Sequence, residues 1–370
     1  MSKRGENIYR RKDGRWEGRY KKSRNREGHI IYGYIYGKKY NEVRKKLLER
    51  KVYYPEQTGD IFAGSLSEWL DHWLYVAIKN KVKLSTWTSY ESKIRNHINP
   101  FLGKIKLQLI ERRHISTFLQ ELSTRQYSEN TIKNIFTILS SSLNYAVENG
   151  CLIKNPCKGL SLSSRGKRRD IRALSMEQQK KIEALAFKEN DCSAVIISLA
   201  TGMRIGEISA LKWTDIDFEY EIINVNHTLQ RIPDPNNRGQ TKVIIGSPKT
   251  KSSLRKIPLA KNLKKYLLER KKFSDSDYVV CSNHRFAEPR VINYRLKKLI
   301  EKTGMESFHF HTLRHTFATR CIENNIDVSS LSRLLGHTSV KLTLDTYTDS
   351  LWKKRKEAME TIDSLQFKQL

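Results

Sequence analysis

The sequence lacks the features of a secreted, disulfide-stabilised or membrane-spanning protein. Its 370 residues include only five cysteines, an odd number without a Cys-x-x-Cys pair, which argues against a disulfide framework or a cysteine zinc site. No stretch approaches about 18 consecutive apolar residues, and the N-terminus leads into no apolar signal core. We therefore expect a soluble, cytoplasmic protein with no membrane partner.

Acidic residues are also scarce. The chain has 39 Asp and Glu against 69 Lys and Arg, which gives a formal charge of +30 and a sequence pI near 9.9. A hydrophobic content of 38% is still sufficient for folded cores, and this length suits two or three domains. The charge predicts a polyanion, above all nucleic acid, as the partner.

The N-terminal segment, 1–62, is the most basic part of the chain, with 18 basic and 6 acidic residues between positions 1 and 55. Aromatic and charged residues alternate here at strand period around an Asp13–Gly14 turn, which predicts three strands followed by a helix. We interpret this as an arm-type DNA-binding domain whose ribbon lies in a groove, although the charge could merely solvate a small domain. The candidate contacts are Arg10, Arg11, Arg15, Trp16 and Arg19.

The rest of the chain separates into three further segments and a tail. Apolar residues at helical spacing, with capping signals at Ser65 and Ser128, predict an all-helical domain over 63–160. A linker over 161–172 follows, and its basic residues suit contact with a duplex. We expect 173–350 to be a mainly α domain with a small antiparallel sheet, and 351–370 to be a helical tail. The linker's basic residues are Arg165, Lys167, Arg168 and Arg169.

Two short segments suggest anion binding. In Thr-Gly-Met-Arg-Ile-Gly-Glu at 201–207, Arg204 stands at a helix start, where its guanidinium and the backbone N–H groups favour phosphate; Glu207 would orient it or stabilise the helix. The segment 247–259 is predicted to be a hairpin turn between two strands with Lys249 at its tip. Lys251 and Lys256 compete for any role given to Lys249.

Histidines concentrate at 308–315, Phe-His-Phe-His-Thr-Leu-Arg-His, around a predicted helix start. With Thr312 as the cap, His311 and Arg314 would lie near the positive end of the helix dipole and form a second phosphate clamp. A zinc site formed by His309, His311 and His315 is the alternative, but Arg314 would repel a cation.

Taken together, Arg204, Lys249, His311, Arg314, His337 and Tyr347 resemble, in order and rough spacing, the active-site series of the tyrosine recombinases, the phage integrase family. His337 follows Leu-Leu-Gly at the end of a predicted helix, and Tyr347 follows ten residues later. The resemblance covers about 173–350. Segments 63–160 and 1–62 are similar to that family's core-binding and arm-binding domains.

The resemblance implies strand cleavage without a metal or other cofactor. Arg204 and Arg314 would hold the nonbridging phosphate oxygens while Tyr347 attacks to form a 3′-phosphotyrosyl link. The other assigned roles are His311 as proton acceptor, Lys249 as the proton donor to the 5′-oxygen, and His337 as a hydrogen-bond donor to phosphate.

The implied partners are double-stranded DNA with core and arm-type sites, a homotetramer on that DNA, and an excision factor or host DNA-bending protein. The alternatives are relaxation of DNA by a type IB topoisomerase and a non-catalytic DNA-binding regulator of the same fold. Residues 1–62 favour integration over relaxation because they offer a second DNA site. The tail is equally compatible with packing on its own domain and docking on a neighbouring protomer.

Overall fold

The computed structural model describes residues 7–24, 30–40, 42–44, 46–47, 62–160, 173–235, 237, 239–247, 251–346 and 356–364. The chain divides into two compact units, Met1–Gly166 and Lys167–Leu370. The expected multidomain α+β class is confirmed: a small N-terminal sheet, a helical bundle and a mainly α region with short antiparallel sheets.

The first unit begins with an antiparallel sheet of three strands, in the order β1-β2-β3. Their bounds are β1 Ile8–Arg10, β2 Trp16–Arg24 and β3 Ile30–Gly37. The predicted Asp13–Gly14 turn joins the first two strands, and Ile8 pairs with Gly18, which pairs with Ile35. Residues 40, 42–44 and 46–47 are helical.

One face of this sheet packs on those helical residues. Ile8, Val43 and Leu47 are buried there, and Trp16 and Tyr20 pack against them. Because successive strand residues point to opposite faces, the other face carries Tyr9, Glu17, Arg19, Tyr34 and Tyr36, as their pairing register shows.

A helical bundle completes the first unit. The predicted capping box is confirmed: the Ser65 hydroxyl accepts from the Glu68 backbone N–H, and the Glu68 carboxylate accepts from the Ser65 backbone N–H. Ser128 likewise caps a 20-residue helix. The helices are α1 Leu66–His72, which continues as a π-helical turn Trp73–Ile78; α2 Leu84–Lys93, which continues as a π-helical turn Ile94–Ile98; α3 Asn99–Leu102; α4 Arg112–Thr124; and α5 Glu129–Glu148.

The second unit is built around one apolar helix, α7, whose residues from Ser193 to Leu199 are all buried. The helices of this unit are α6 Met176–Lys188, α7 Ser193–Thr201, α8 Ile205–Ala210, α9 Lys261–Lys272, α10 Pro289–Thr303, α11 His311–Glu323, α12 Val328–Leu335 and α13 Val340–Thr346. The strands are β4 Ile216–Asp217, β5 Ile222–Val225, β6 Thr228–Pro233, β7 Thr241–Gly246, β8 Arg255–Pro258, β9 Cys281–Ser282 and β10 Arg285–Phe286.

The strand pairing corrects one prediction. The hairpin predicted over 247–259 is not formed, because β7 pairs with β6 while β8 pairs with β5. The strands β7 and β8 therefore belong to two separate sheets, β6-β7 and β4-β5-β8, and a 3-10 turn at Lys251–Ser253 precedes β8. Lys249 lies outside the described residues.

A second correction concerns the start of α11. Thr312 does not cap this helix: His311 is its first residue, and the capping position is Phe310, which supplies no side-chain hydrogen bond. The Thr312 side chain is buried instead. In the C-terminal tail, residues 356–364 are helical and all are exposed.

Candidate active site

Arg204 occupies the capping position of α8, as its sequence context predicts. Its backbone N–H donates to Glu207 Oε2 at 2.9 Å, and its Nη1 donates to Glu207 Oε1 at 2.8 Å. The Arg204 side chain nevertheless remains 37% exposed, so part of its guanidinium faces solvent. The carboxylate thus fixes the direction of Arg204 while leaving it accessible to an anion.

Glu207 is only 3% exposed and is shared between two arginines. Nη1 and Nη2 of Arg255 donate to its two carboxylate oxygens at 3.1 and 2.9 Å. Burial disfavours the charged carboxylate, but the hydrogen bonds and positive charge of Arg255, together with the charge of Arg204, outweigh it and lower the Glu207 pKa. Glu207 is therefore ionised at neutral pH.

Arg255 is a site residue that the sequence analysis missed. The signal was present, because Arg255 and Ile257 lie on the same face of a strand whose Ile257 is buried. The surrounding run of basic residues, typical of solvated surface, obscured that signal.

Arg314 is almost completely buried at 2% exposure. Its Nη1 donates to the Gly202 carbonyl at 2.7 Å and its Nη2 to the Leu335 carbonyl at 2.6 Å. These carbonyls lie at the C-terminal ends of α7 and α12, where the helix dipole favours a cation. Arg314 therefore joins three helices at one point.

His311 and His315 lie one helical turn apart on α11, with ring centroids 4.7 Å apart in edge-to-face contact. His311 keeps an exposed edge. Even so, the groups packed around its ring, followed by the positive charges of the neighbouring His315, Arg314 and Arg204, lower its pKa to about 4. His311 is thus neutral at physiological pH and can accept a proton.

His337 follows Gly336, which ends α12 in the left-handed conformation at φ 64°. Its Nδ1 shares a hydrogen bond of 2.7 Å with Thr343 Oγ1 of α13. Burial, then the charges of Arg314, Arg204 and Arg255, lower the His337 pKa to about 4.

The four described members of the predicted series therefore converge. Arg314 contacts the Gly202 carbonyl two residues before Arg204, and Arg204 Nη2 donates to the Gly336 carbonyl at 3.4 Å. His311 lies within electrostatic reach of both arginines and of His337. The remaining two, Lys249 and Tyr347, lie outside the described residues, as do the linker candidates Arg165, Lys167, Arg168 and Arg169.

The open face of the N-terminal sheet presents arginines stacked on tyrosines. The Arg11 and Arg15 guanidiniums lie 5.3 and 5.8 Å from the Tyr36 ring centroid, and that of Arg19 lies 4.0 Å from the Tyr32 centroid. Arg10 is exposed on β1 but pairs with Trp16, so the register places it on the other face of the sheet from these stacks. The structure corrects the inclusion of Trp16, whose ring packs edge-to-face on Tyr40 at 5.1 Å on the core face.

Among the described residues, no group of three His, Cys, Asp or Glu side chains is placed to hold a metal ion. The alternative zinc site at His309, His311 and His315 is therefore not formed by these residues. Within the same ranges, no helix combines the length and apolar character needed to cross a membrane.

Two family models match the sequence. The phage integrase family matches residues 171–354, and the phage integrase N-terminal SAM-like domain matches residues 65–123. A tyrosine recombinase XerC-like protein of Caldanaerobacter subterraneus is 29% identical over 92% of this chain and 94% of its own length. The integrase of Staphylococcus phage L54a is 27% identical over 80% of this chain and 92% of its own length.

Solved structures share the fold. The Tn1549 transposon integrase in complex with a circular intermediate DNA matches with a TM-score of 0.66 and 20% identity, covering 80% of this chain and 100% of that chain. A lambda integrase tetramer bound to a Holliday junction matches with a TM-score of 0.57 and 20% identity, covering 90% and 96%. The family models and relatives, in agreement with the residues brought together here, establish that the chain belongs to the phage integrase family and is a tyrosine recombinase, an enzyme that cuts and rejoins DNA by transesterification.

Proposed function

We propose that this recombinase integrates and excises a mobile element at specific sites, with Tyr347 as the nucleophile that forms a 3′-phosphotyrosyl intermediate. The observation that carries this proposal is the convergence of Arg204, His311, Arg314 and His337 around backbone carbonyls of α7 and α12. Such a cluster offers cations and neutral imidazoles to a phosphodiester without a metal ion.

The two arginines have complementary surroundings. Arg204, held by Glu207 and still partly exposed, binds a nonbridging oxygen of the scissile phosphate. Arg314, buried between two helix ends, places positive charge beneath the same phosphate. Because both are fixed before DNA arrives, little reorganisation accompanies the formation of transition-state charge.

Proton transfer falls to neighbouring side chains. The phenol of Tyr347, with an ordinary pKa near about 10, must lose its proton as it attacks. His311 accepts that proton, since its imidazole is neutral before the reaction and lies beside both phosphate-binding arginines. His337 donates a hydrogen bond to a phosphate oxygen, and Lys249 protonates the departing 5′-oxygen.

The position of Tyr347 in the sequence supports its role. It follows directly on Thr346, the last described residue of α13, and this helix is bonded to the site through Thr343 and His337. A nucleophile at position 347 is therefore connected by one short helix to the residues that bind phosphate.

The domains divide the work of binding DNA. Residues 63–160 and 173–350 hold the core site, with the linker 161–172 against the duplex, and residues 351–370 form a separate tail. The open sheet face of residues 1–62 binds a distant arm-type site. Tyr9, Tyr34 and Tyr36 are each about half exposed on this face, and arginine–tyrosine stacks of this kind suit a nucleic-acid groove.

Assembly completes the reaction. Four copies of the chain exchange two pairs of strands on DNA, and the energy of each broken bond is kept in the phosphotyrosine, so that no nucleotide cofactor is consumed. An excision factor or a host DNA-bending protein sets the direction, and the reaction takes place in the cytoplasm. The family resemblance is the support for these partners. The matching family and relatives are recombinases, and nothing among them favours DNA relaxation or a regulator without catalysis.

Covalent trapping tests the proposed function. A repeat in the DNA flanking the gene supplies the core site, which is built into a nicked suicide substrate. We expect an adduct that withstands denaturation and is removed by protease, with tryptic mass spectrometry locating the nucleotide on Tyr347. An adduct on another residue would contradict the assignment.

A further inference from the structure

Arg255 connects three parts of the active site without facing solvent. It is the first residue of β8, directly after the segment that contains Lys249, and its side chain is only 5% exposed. A guanidinium that is buried in this way cannot contact a phosphate group of the DNA. Any influence of Arg255 on the geometry of the site must therefore pass through the groups that it touches.

Those groups belong to different elements of the second unit. Two N–H groups of Arg255 hold the Glu207 carboxylate of α8, and its Nε donates to the Leu334 carbonyl near the end of α12 at 2.6 Å. Its Nη1 also donates to the Ser253 carbonyl at 3.2 Å, in the turn after position 249. One side chain thus fixes the relative positions of α8, α12 and that turn.

Glu207 links Arg255 to Arg204. Glu207 Oε1 accepts from both Arg204 Nη1 and Arg255 Nη1, so the two guanidiniums share one carboxylate. A bidentate pair defines both the position and the plane of a carboxylate. Arg255 therefore sets the orientation of the carboxylate that orients Arg204.

The contact with Leu334 places Arg255 beside the turn that carries His337. Gly336 follows that carbonyl closely, and a Cβ added to Gly336 would lie 3.1 Å from Arg255 Cδ and 3.1 Å from the Ser252 carbonyl oxygen. The turn that presents His337 is therefore packed directly on the Arg255 side chain. Only a residue without a side chain, at its φ of 64°, fits there without displacing these neighbours.

We propose that Arg255 is a positioning residue for the phosphate site, acting on Arg204 through Glu207 and on His337 through the Leu334 carbonyl. This inference rests on the proposed function. A lysine at this position would keep the charge but could not satisfy Glu207 and Leu334 together, because it lacks the planar fork. Small displacements of catalytic groups are costly, and a shift of about 1 Å can reduce a rate by about 100-fold.

The test compares Arg255→Lys with Arg231→Lys in the full-length chain. Arg231 is a matched control, because it also holds a carboxylate, that of Glu288, through two N–H groups in the same unit. With saturating core-site suicide substrate, we expect Arg255→Lys to form the covalent adduct roughly 10- to 100-fold more slowly. The affinity for DNA should stay near that of the unaltered enzyme, and Arg231→Lys should cleave normally.

A neutral substrate separates positioning from a general folding defect. Replacing one nonbridging oxygen of the scissile phosphate by a methyl group gives a methylphosphonate, which removes the negative charge that a well-placed Arg204 must hold. We expect the deficit of Arg255→Lys to shrink on this substrate. Its effect should also be non-additive with Arg204→Ala, since both act on one group.

Glu207→Gln provides a second variant should Arg255→Lys fail to fold, as judged by circular dichroism. Glu207→Gln keeps the size of the side chain and weakens the same linkage, so it should show the same dependence on substrate charge. Normal cleavage by the folded variant, or an equal loss on charged and neutral substrates, would overturn the positioning role. Absence of any adduct with the unaltered enzyme would contradict the proposed function instead.

Discussion

The Nδ1 of His337 lies 2.7 Å from the Oγ1 of Thr343, six residues further along the chain. Thr343 is fully buried on α13, and His337 is the residue that follows the end of α12. This hydrogen bond couples the phosphate site to the helix that leads to Tyr347. It also fixes the ring so that the other nitrogen, Nε2, is left to act on the substrate.

Thr343→Val should therefore slow cleavage. Valine has nearly the same shape as threonine but leaves His337 Nδ1 without its partner, at a cost of about 1–3 kcal/mol. We expect a clear fall in the rate of adduct formation on the suicide substrate with little change in DNA affinity. Thr361→Val is the control, since it removes a hydroxyl that donates to the Glu357 carbonyl in the exposed helix 356–364. Equal rates for the two variants would show that the His337–Thr343 bond has no catalytic role.

The protein should lose stability in mild acid. The pKa values of His311 and His337 are lowered to about 4 in the folded protein, mainly by burial and then by neighbouring positive charges. The unfolded chain, with an ordinary His pKa of about 6.5, binds these protons first. Stability is therefore complete above about pH 6.5 and falls as pH decreases toward 4.

Thermal unfolding from pH 7 to pH 4.5 measures this effect. His337→Gln should reduce the loss of melting temperature over that range, whereas His227→Gln, which alters an exposed histidine, should leave it unchanged. Identical pH dependence for the unaltered protein and His337→Gln would show that His337 is not held neutral by the fold.

Gly202→Ala should destabilise the second unit. Gly202 has a φ of 66°, and an added Cβ would lie 2.5 Å from Phe317 Cδ1 and 2.8 Å from Leu335 Cδ2. Backbone strain and steric overlap together should cost more than about 1 kcal/mol. Because the Gly202 carbonyl accepts from Arg314, cleavage should also decline.

Two other glycines separate these contributions. Gly239 has a φ of 81° with nothing within 4 Å of an added Cβ, so Gly239→Ala reports backbone strain alone. Gly246 has neither a positive φ nor a close neighbour, and Gly246→Ala should be nearly neutral. The melting temperature should be highest for Gly246→Ala, lower for Gly239→Ala and lowest for Gly202→Ala. A melting temperature of Gly202→Ala equal to or above that of Gly239→Ala would contradict the close packing of Phe317 and Leu335 at Gly202.

The N-terminal sheet should bind a DNA site of its own. Deletion of residues 1–62 should leave cleavage of a core-site substrate largely intact, while integration that needs distant sites falls sharply. Each lost phosphate contact should reduce the slope of log affinity against log salt by about 0.9. Footprinting should show protection retained across the exchange point and lost at the distant sites.

A point substitution refines this test. Arg11 and Lys46 are both exposed cations paired with a carboxylate, but Arg11 stacks on Tyr36 at the open sheet face, whereas Lys46 lies on the helix. Arg11→Ala should weaken binding to the distant sites, and Lys46→Ala should not. If both substitutions act equally, the open face is not the DNA-binding surface.

Local signals in the sequence were sufficient for much of the fold. Ser65 and Ser128 each cap the helix that their neighbours predict, because capping depends on residues within one helical turn. The helix start at Arg204 and the helix end at Gly336 are local in the same sense.

Most of what the sequence did not predict depended on distant partners, whereas the cap predicted at Thr312 was a local error, since the helix already begins at His311. The 247–259 segment resembles a hairpin, but the choice of β5 over β7 as the partner of β8 is made by tertiary packing. Trp16 alternates with arginines, and only the position of Val43 and Tyr40 shows which face of the sheet is buried. Arg255 meets Glu207 across 48 residues, a separation at which no periodicity operates.

Trapping of the Tyr347→Phe variant tests the central claim most directly. The variant lacks only the phenolic oxygen, so it should bind the core-site suicide substrate with unchanged affinity and form no covalent adduct. The unaltered enzyme should form the adduct even in the presence of EDTA, because charge stabilisation is assigned to side chains and not to a metal ion. A denaturing gel decides between the outcomes: no shifted band with Tyr347→Phe is the predicted result, and an adduct with that variant would contradict the account.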